Sequence, residues 1–540
     1  SSGSHNTGTA NLVDDLYTGV SMTTPGQDHF GGSNKDTIVT CIKGHPCLIF
    51  YSETGESGSY KYIGKYNLNL DKATPKPFGF DHSDDFGWLH EGDEYYEVIY
   101  QEDGKEPFSG QEEPDESADY VGRETQKVVP ADKKINSIHC FEFLDNAIEV
   151  CNFLNKYKDF IKDPETGEMV PDPNGATYSY EETWYNEFTN KDGDKVPGWA
   201  LGFESRYPED RLGFHDADML YPLASWLNEL NELRKTDEAY AVARFKNEYQ
   251  CYLNKKFTLT YYLYTEALLM ADSRVKNMMI ATWGKENYGE NGQGVGTNET
   301  YSYYPLKQNG NGEWVPDNSQ QRIYTNNYIF YPIFYDMDTM LGLDNTGVYR
   351  FNYYDEDTNP SIYNGDEVLW NFVRDALLDD LTPWYTELET ATLSAAKVLP
   401  YFNNNQANLA NEAFYNGDAK YKYIDPARNG YHDDLYDKDI APGDGPYLYA
   451  AQGDRSLMRE WFVTNRFKFL RGKYASGQFK GGDRIEYRWY FPSGNEDEFK
   501  VGIDGLDHSA SITAVPPSDS FTLSSLKTGF AGIQVGANAS

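Results

Sequence analysis

The chain has 540 residues, 47 Lys and Arg against 85 Asp and Glu, and a formal charge of −38 at pH 7. That balance excludes a nucleic-acid backbone or an anionic membrane surface as a direct partner, since both need a basic face. Aromatics make up 16% of the sequence, including 45 Tyr, which excludes a disordered chain. The length predicts two or three domains, or one two-lobed domain with insertions.

Residues 1–36 are rich in Gly, Ser and Thr and read as an N-terminal arm of the kind that docks on a neighbouring subunit. The start, Ser1-Ser2-Gly3-Ser4-His5, has no Met and no signal-peptide pattern, and the end GFAGIQVGANAS looks cut within a domain. No run approaches the ~18 apolar residues of a membrane span. Five cysteines at scattered spacing make neither a disulfide framework nor a zinc pattern, so buried free thiols are expected, with Cys41–Cys47 as the one pairing to consider.

From Thr37 the pattern turns β-like. TIVTCIK and HPCLIFYS read as short strands around Gly44, and YKYIGKYNLNLDK alternates like a strand or hairpin carrying Lys61, Lys65 and Lys72. An acidic loop at 91–119 closes a β-rich first lobe, 37–135. A mainly helical lobe with insertions follows over 136–475. Its expected helices are the stretch after Leu144, 218–234, a long run over 238–263, 368–388 ending at Pro383, and 456–474. The last is expected to bury Leu457, Trp461, Phe462, Phe467 and Leu470. Residues 284–320 and 403–445 read as loop excursions. The tail, 476–540, reads as a β-rich module with strands in IEYRWYF, DEFKVGID and SASITAVPPSD.

Two stretches carry chemistry. YYLYTEALLMADSRVKNMM (261–279) holds Asp272 and Asn277 five positions apart, with Arg274 and Lys276 between them. YPIFYDMDTMLG (331–342) delivers Asp336 and Asp338 just after a strand-like run. An acid, an amide five residues on, and a second acid after a strand is how protein kinases arrange their catalytic loop and metal ligands. Carboxylate and amide oxygens are hard ligands suited to Mg²⁺, and a carboxylate free of metal orients the attacking hydroxyl. Helix ends also favour Asp and Asn for capping alone, so the spacing by itself is weak.

GKYNLNLDK with FGF, CNFL (151–154), FESRYP (203–208), the two stretches above, VLWNFVRDA and VTNRFKFL together resemble the CotH-type kinase-fold proteins, most of all those carried by bacteriophages. The resemblance covers about Cys41 to Tyr474. It implies an α+β, divergent two-lobed protein-kinase-like fold. It further implies Asp272 as the catalytic-loop acid, Asn277 with Asp336 or Asp338 as metal ligands, and Mg or Mn with ATP as cofactors. Lys65 and Lys72 are the two candidates for the nucleotide lysine. The sequence departs from the kinase pattern in lacking a Gly-rich phosphate loop.

The chain also resembles large tail proteins of crAss-like gut phages. That implies a virion structural role, assembled with copies of itself and other virion subunits in the host cytoplasm. An active kinase acting on protein Ser/Thr is the alternative. A carbohydrate-binding or -cleaving tail protein is a third, more distant reading, since Tyr and Trp stack on sugars.

Overall fold

The computed structural model describes residues 5–30, 41, 44–69, 95–102, 108–109, 120–128, 138–144, 160–171, 178–190, 192–207, 212–274, 277–284, 302–325, 327–337, 339–342, 351–356, 368–403, 455–475, 486–490, 500–503 and 531–534. Helices and antiparallel sheets are mixed along the chain, an α+β arrangement. Among the described residues no helix is long and apolar enough to cross a membrane.

The core is built on one four-stranded antiparallel sheet. Its strands are β1 (His139–Phe143), β2 (Phe203–Tyr207), β3 (Met278–Thr282) and β4 (Phe330–Phe334), in spatial order β2-β1-β3-β4. Every residue of β3 and β4 is buried. Continuous apolar runs such as MMIAT and FYPIF suit strands covered on both faces. Pro332 is tolerated because β4 is the sheet's edge, where one N–H is not needed by a ladder. Isolated bridges from Leu253 to Phe330 and from Cys41 to Phe334 cover that edge.

Among the described residues, eight helices of nine residues or more surround the sheet or extend from it: α1 (His5–Gly19), α2 (Tyr221–Arg234), α3 (Glu238–Glu248), α4 (Lys255–Leu268), α5 (Val368–Ala376), α6 (Leu378–Ala391), α7 (Ala395–Asn403) and α8 (Arg455–Leu470). The helix against β4 is α4, whose residues Phe257 to Leu268 are all buried. Its Thr and Tyr content is strand-like by propensity, but packing on every face overrides that preference. Two of its buried threonines find partners, one within the helix and one on α6: Thr265 Oγ1 donates to the Tyr261 carbonyl at 2.8 Å, and Thr260 Oγ1 accepts from Trp384 Nε1 at 2.8 Å.

Several expectations change in the folded chain. The segment expected as an arm, 1–36, instead contributes α1, with Ala10, Leu12, Val13, Leu16 and Tyr17 buried against α6 and α7. Tyr17 packs edge-on to Phe257, and the Tyr264 hydroxyl donates to the Thr9 carbonyl at 2.9 Å. Apolar spacing within a Gly/Thr-rich sequence hid this helix.

The single helix expected over 238–263 breaks into α3 and α4. The Asn254 N–H donates to the Phe330 carbonyl at 2.9 Å, and the Phe330 N–H donates to the Tyr252 carbonyl at 2.8 Å. The strand thus pulls the chain out of the helix, and Asn254 then caps α4 through the Phe257 N–H at 3.2 Å. The stop expected at Pro383 falls instead at Leu377, between α5 and α6, leaving Pro383 inside α6. The loop expected at 284–320 holds, over its described part, tight hairpins at 302–324.

Helix α8 ends in a π turn, Arg471–Ala475, and buries Phe462, Phe467 and Leu470 as expected, while the side chains of Leu457 and Trp461 lie outside the described residues. Strands Gly44–Tyr51 and Lys61–Asn69 form an antiparallel ribbon. In the tail, Glu486–Tyr490 and Lys500–Ile503 are strands as expected; Glu486–Tyr490 pairs with Lys500–Ile503 and also with Ala531–Gln534, a strand that was not anticipated, and SASITAVPPSD lies outside the described residues. Cys41, Cys140 and Cys251 are buried free thiols, so Cys41 does not pair with Cys47.

Candidate functional site

The candidate site begins where α4 ends. Leu269 takes a left-handed φ of 51°, and its N–H returns to the Thr265 and Glu266 carbonyls. The chain then turns through Met270 to Arg274, and Asn277 stands directly before β3. Three contacts pin this turn from beneath. The Met270 N–H donates to the Thr265 carbonyl at 2.9 Å. The Tyr261 hydroxyl donates to the Ser273 carbonyl at 2.5 Å, and Trp370 Nε1 donates to the Arg274 carbonyl at 3.2 Å. Tyr261 itself is stacked between Phe334 and Trp370, at 4.4 and 4.9 Å. Two carbonyls of the turn are therefore held by aromatic side chains, and a third, that of Met270, accepts from the Ser273 N–H at 3.2 Å.

At the open end of the turn, Asn277 Nδ2 donates to Asp272 Oδ2 at 2.9 Å. With its NH₂ directed at the carboxylate, Asn277 offers its amide oxygen as an acceptor. Both side chains are partly exposed. Asn277 sits at φ 53°, a region Asn tolerates better than most residues.

The second acid arrives by strand register. Met278 of β3 pairs with Phe334 of β4. Asn277 directly precedes Met278, and Asp336 lies two residues beyond Phe334, so both stand at one end of the sheet. Paired Cα atoms in such a ladder are about 4.5–5.5 Å apart. Past Asp336 the chain folds back on α4: the Leu341 N–H donates to the Leu268 carbonyl at 2.7 Å. Asp336 and Leu341 adopt φ of 42° and 54°. Four of the five described non-glycine residues with positive φ thus flank this one turn-and-strand junction. Such backbone is sparsely populated and persists where surrounding structure over-determines it.

Arg274 does not face the site. Its side chain is buried, with Nε donating to Thr265 Oγ1 at 2.8 Å and Nη2 donating to the Tyr262 carbonyl at 3.0 Å. The guanidinium lies 4.3 Å from the Tyr262 ring centre. The cation that sequence spacing set between Asp272 and Asn277 is a bolt holding the turn to α4.

Of the other expected site residues, Lys65 lies opposite Leu48 in the Gly44–Asn69 ribbon, with its side chain outside the described residues. Lys72, Lys276 and Asp338 also lie outside them. Among the described residues no three His, Cys, Asp or Glu side chains converge as a metal cage. Asp272 and Asn277 are in contact, and the strand register sets Asp336 at the same end of the sheet; all three are hard oxygen donors. Sequence reasoning missed two buried charges behind the turn, Glu266 and Arg466. Each was visible as a lone charge inside an apolar run, YYLYTEALL and FVTNRFKFL.

No family model, curated protein or solved structure matches this chain.

Proposed function

We propose that this chain is a bacteriophage tail component that uses a CotH-like, kinase-type fold as a structural scaffold. The support for the fold is the order helix, pinned turn with Asp272 and Asn277, strand, strand, then Asp336, with the two strands paired so that acids and amide share one end. The observation that carries the scaffold reading is Arg274. A phosphate-transferring turn gains from a cation aimed at the phosphoryl oxygens. Here that charge is turned inward and engaged with Thr265 and Tyr262. The long Asn/Tyr-rich excursions suit packing against other virion subunits and copies of the same chain in a symmetric assembly.

The direct test is protein analysis of purified particles from a phage carrying this reading frame. The chain should be present in a fixed copy number, and its absence from intact particles sinks the proposal. Asp272→Ala should leave assembly intact.

A second reading, an atypical kinase using ATP with Mg²⁺ or Mn²⁺ on Ser/Thr hydroxyls, is favoured by the Asn277–Asp272 contact. In that reading Asn277 and Asp336 hold the metal, which offsets phosphoryl charge, and Asp272 orients the hydroxyl. Saturating ATP with Mn²⁺ would then stabilise the fold by roughly 3–4 kcal/mol. The scaffold reading expects no thermal shift. A shift, with phosphotransfer lost in a folded Asp272→Ala variant, makes the kinase reading the correct one.

A further inference from the structure

We propose that Arg466, on the apolar face of α8, is a positioning residue for the acidic site. Its guanidinium sets how far the Asp272–Asn277 turn stands from the chain that follows Asp336. This rests on the second reading above, the kinase one, in which that turn and Asp336 are parts of one phosphate-metal site.

Arg466 is completely buried. Nε and Nη2 donate to the Glu266 carbonyl at 3.1 and 2.6 Å, in the last turn of α4. Nη1 donates to the carbonyls of Tyr353 and Asp355 at 2.8 and 2.5 Å. Those two carbonyls belong to the segment downstream of Asp336. The Phe351 N–H donates to the Gly342 carbonyl at 3.1 Å, and the Leu341 N–H donates to Leu268. A closed circuit results: α4 end, Leu341–Gly342, Phe351–Tyr353, Arg466, and back to α4. Asp272 leaves the circuit on one side and Asp336 enters it on the other.

The charge is well suited to this place. A helix C-terminus carries about −0.5 of a unit charge on its exposed carbonyls, which offsets a buried cation. The planar five-donor fork reaches three carbonyls on two backbone segments at once, which a lysine ammonium does not reproduce. The next turn reinforces the clamp. The π turn after α8 brings consecutive residues onto one buried carboxylate: Lys473 Nζ pairs with Glu266 Oε1 at 2.6 Å, and the Tyr474 hydroxyl bonds Glu266 Oε2. A π turn widens the helix by one residue and recurs at functional positions. Burying a charge in an apolar helix face is costly, and a fork that fixes the register of two segments is a physical reason to retain it.

The test uses the full chain, with R466K and R466M compared with R244K. Arg244 is a control fork on α3, bonded to Glu248 at 2.9 Å and Glu229 at 2.5 Å away from the turn. Native-state hydrogen exchange reads the Met270 and Leu341 amides. In folded R466K both should exchange about tenfold faster and together, while R244K leaves both within about twofold of wild type. An unchanged Leu341 amide in folded R466K overturns the clamp. If neither Arg466 variant folds, wild-type exchange in low denaturant decides: one shared opening for Met270 and Leu341 supports the clamp, and two separate openings overturn it. Mn²⁺·ATP binding forms the second arm. Wild type that binds and R466K that binds about tenfold weaker support the positioning role, and equal affinity in the two overturns it. Wild type that does not bind defeats the phosphate-site reading on which the inference rests, while the exchange result still decides the clamp.

Discussion

Two parts of the chain lie side by side in sequence and follow opposite rules. The central unit, α4 from Phe257 onward with β3 and β4, is buried and held by aromatic stacks and carbonyls claimed from distant segments. The hairpins at 302–324, inserted between β3 and β4, have little interior of their own. They rely on Trp314 against Tyr240 of α3 at 4.4 Å, an Arg322 guanidinium over Tyr304, and a Lys307–Asp317 ion pair. Ile323 and Tyr324 stay exposed. Long-range burial therefore fixes the first region and local polar chemistry the second. Damage to the first should be global, and damage to the second local.

The largest expected loss follows Trp370→Ala. Trp370 is fully buried, stacks on Tyr261 and supports the Arg274 carbonyl. Chemical denaturation should show about 3–5 kcal/mol lost. A loss below ~1 kcal/mol means the turn is not carried by the aromatic stack.

Leu16→Ala comes next and extends the central unit to the N-terminus. Leu16 is fully buried on α1, and its truncation should cost about 2–5 kcal/mol. An arm bound only to a neighbouring subunit would show no loss in the isolated chain.

Trp314→Ala should cost the hairpins about 1 kcal/mol of local stability, the scale of an aromatic pair. The global unfolding midpoint should barely move, and limited proteolysis within 302–324 should quicken. A global drop as large as that of Trp370→Ala would erase the contrast between the regions.

The smallest effect is one of pH. The Lys307 ammonium and the Ser319 hydroxyl beside Asp317 lower its carboxyl from 3.8 to about 2. A depressed carboxyl stabilises above its unfolded value, and that contribution disappears as pH falls through about 4 to 2. Amide signals of residues 317–320 should broaden over that window, and Lys307→Met should move the midpoint upward. A midpoint unchanged by the substitution excludes the ion pair as its cause.

Much of the candidate site was legible along the chain. Asp272 and Asn277 were visible as an acid and an amide leaving an apolar run, and Asp336 as an acid leaving a strand, because side-chain type and hydrophobic period are local properties. The aromatic stretches were legible as core for the same reason. The direction a side chain takes is a different matter. Arg274 stood between two site donors in the sequence, and only the Thr265 hydroxyl, the Tyr262 carbonyl and the Tyr262 ring turned it inward. Likewise the break before Asn254 was set by Phe330, some seventy-five residues later, and the burial of α1 by α6 and α7, far along the chain.

The sequence by itself determined which segments are apolar, which residues carry oxygen donors, and that helices and strands would mix. Only the fold set Asn277 and Asp336 at one end of a sheet, through the Met278–Phe334 register, and decided which charges are buried, through contacts such as Arg466 with Glu266 across two hundred positions. The reason is physical: chemical identity and periodicity belong to neighbours in the chain, whereas desolvation and register belong to neighbours in space.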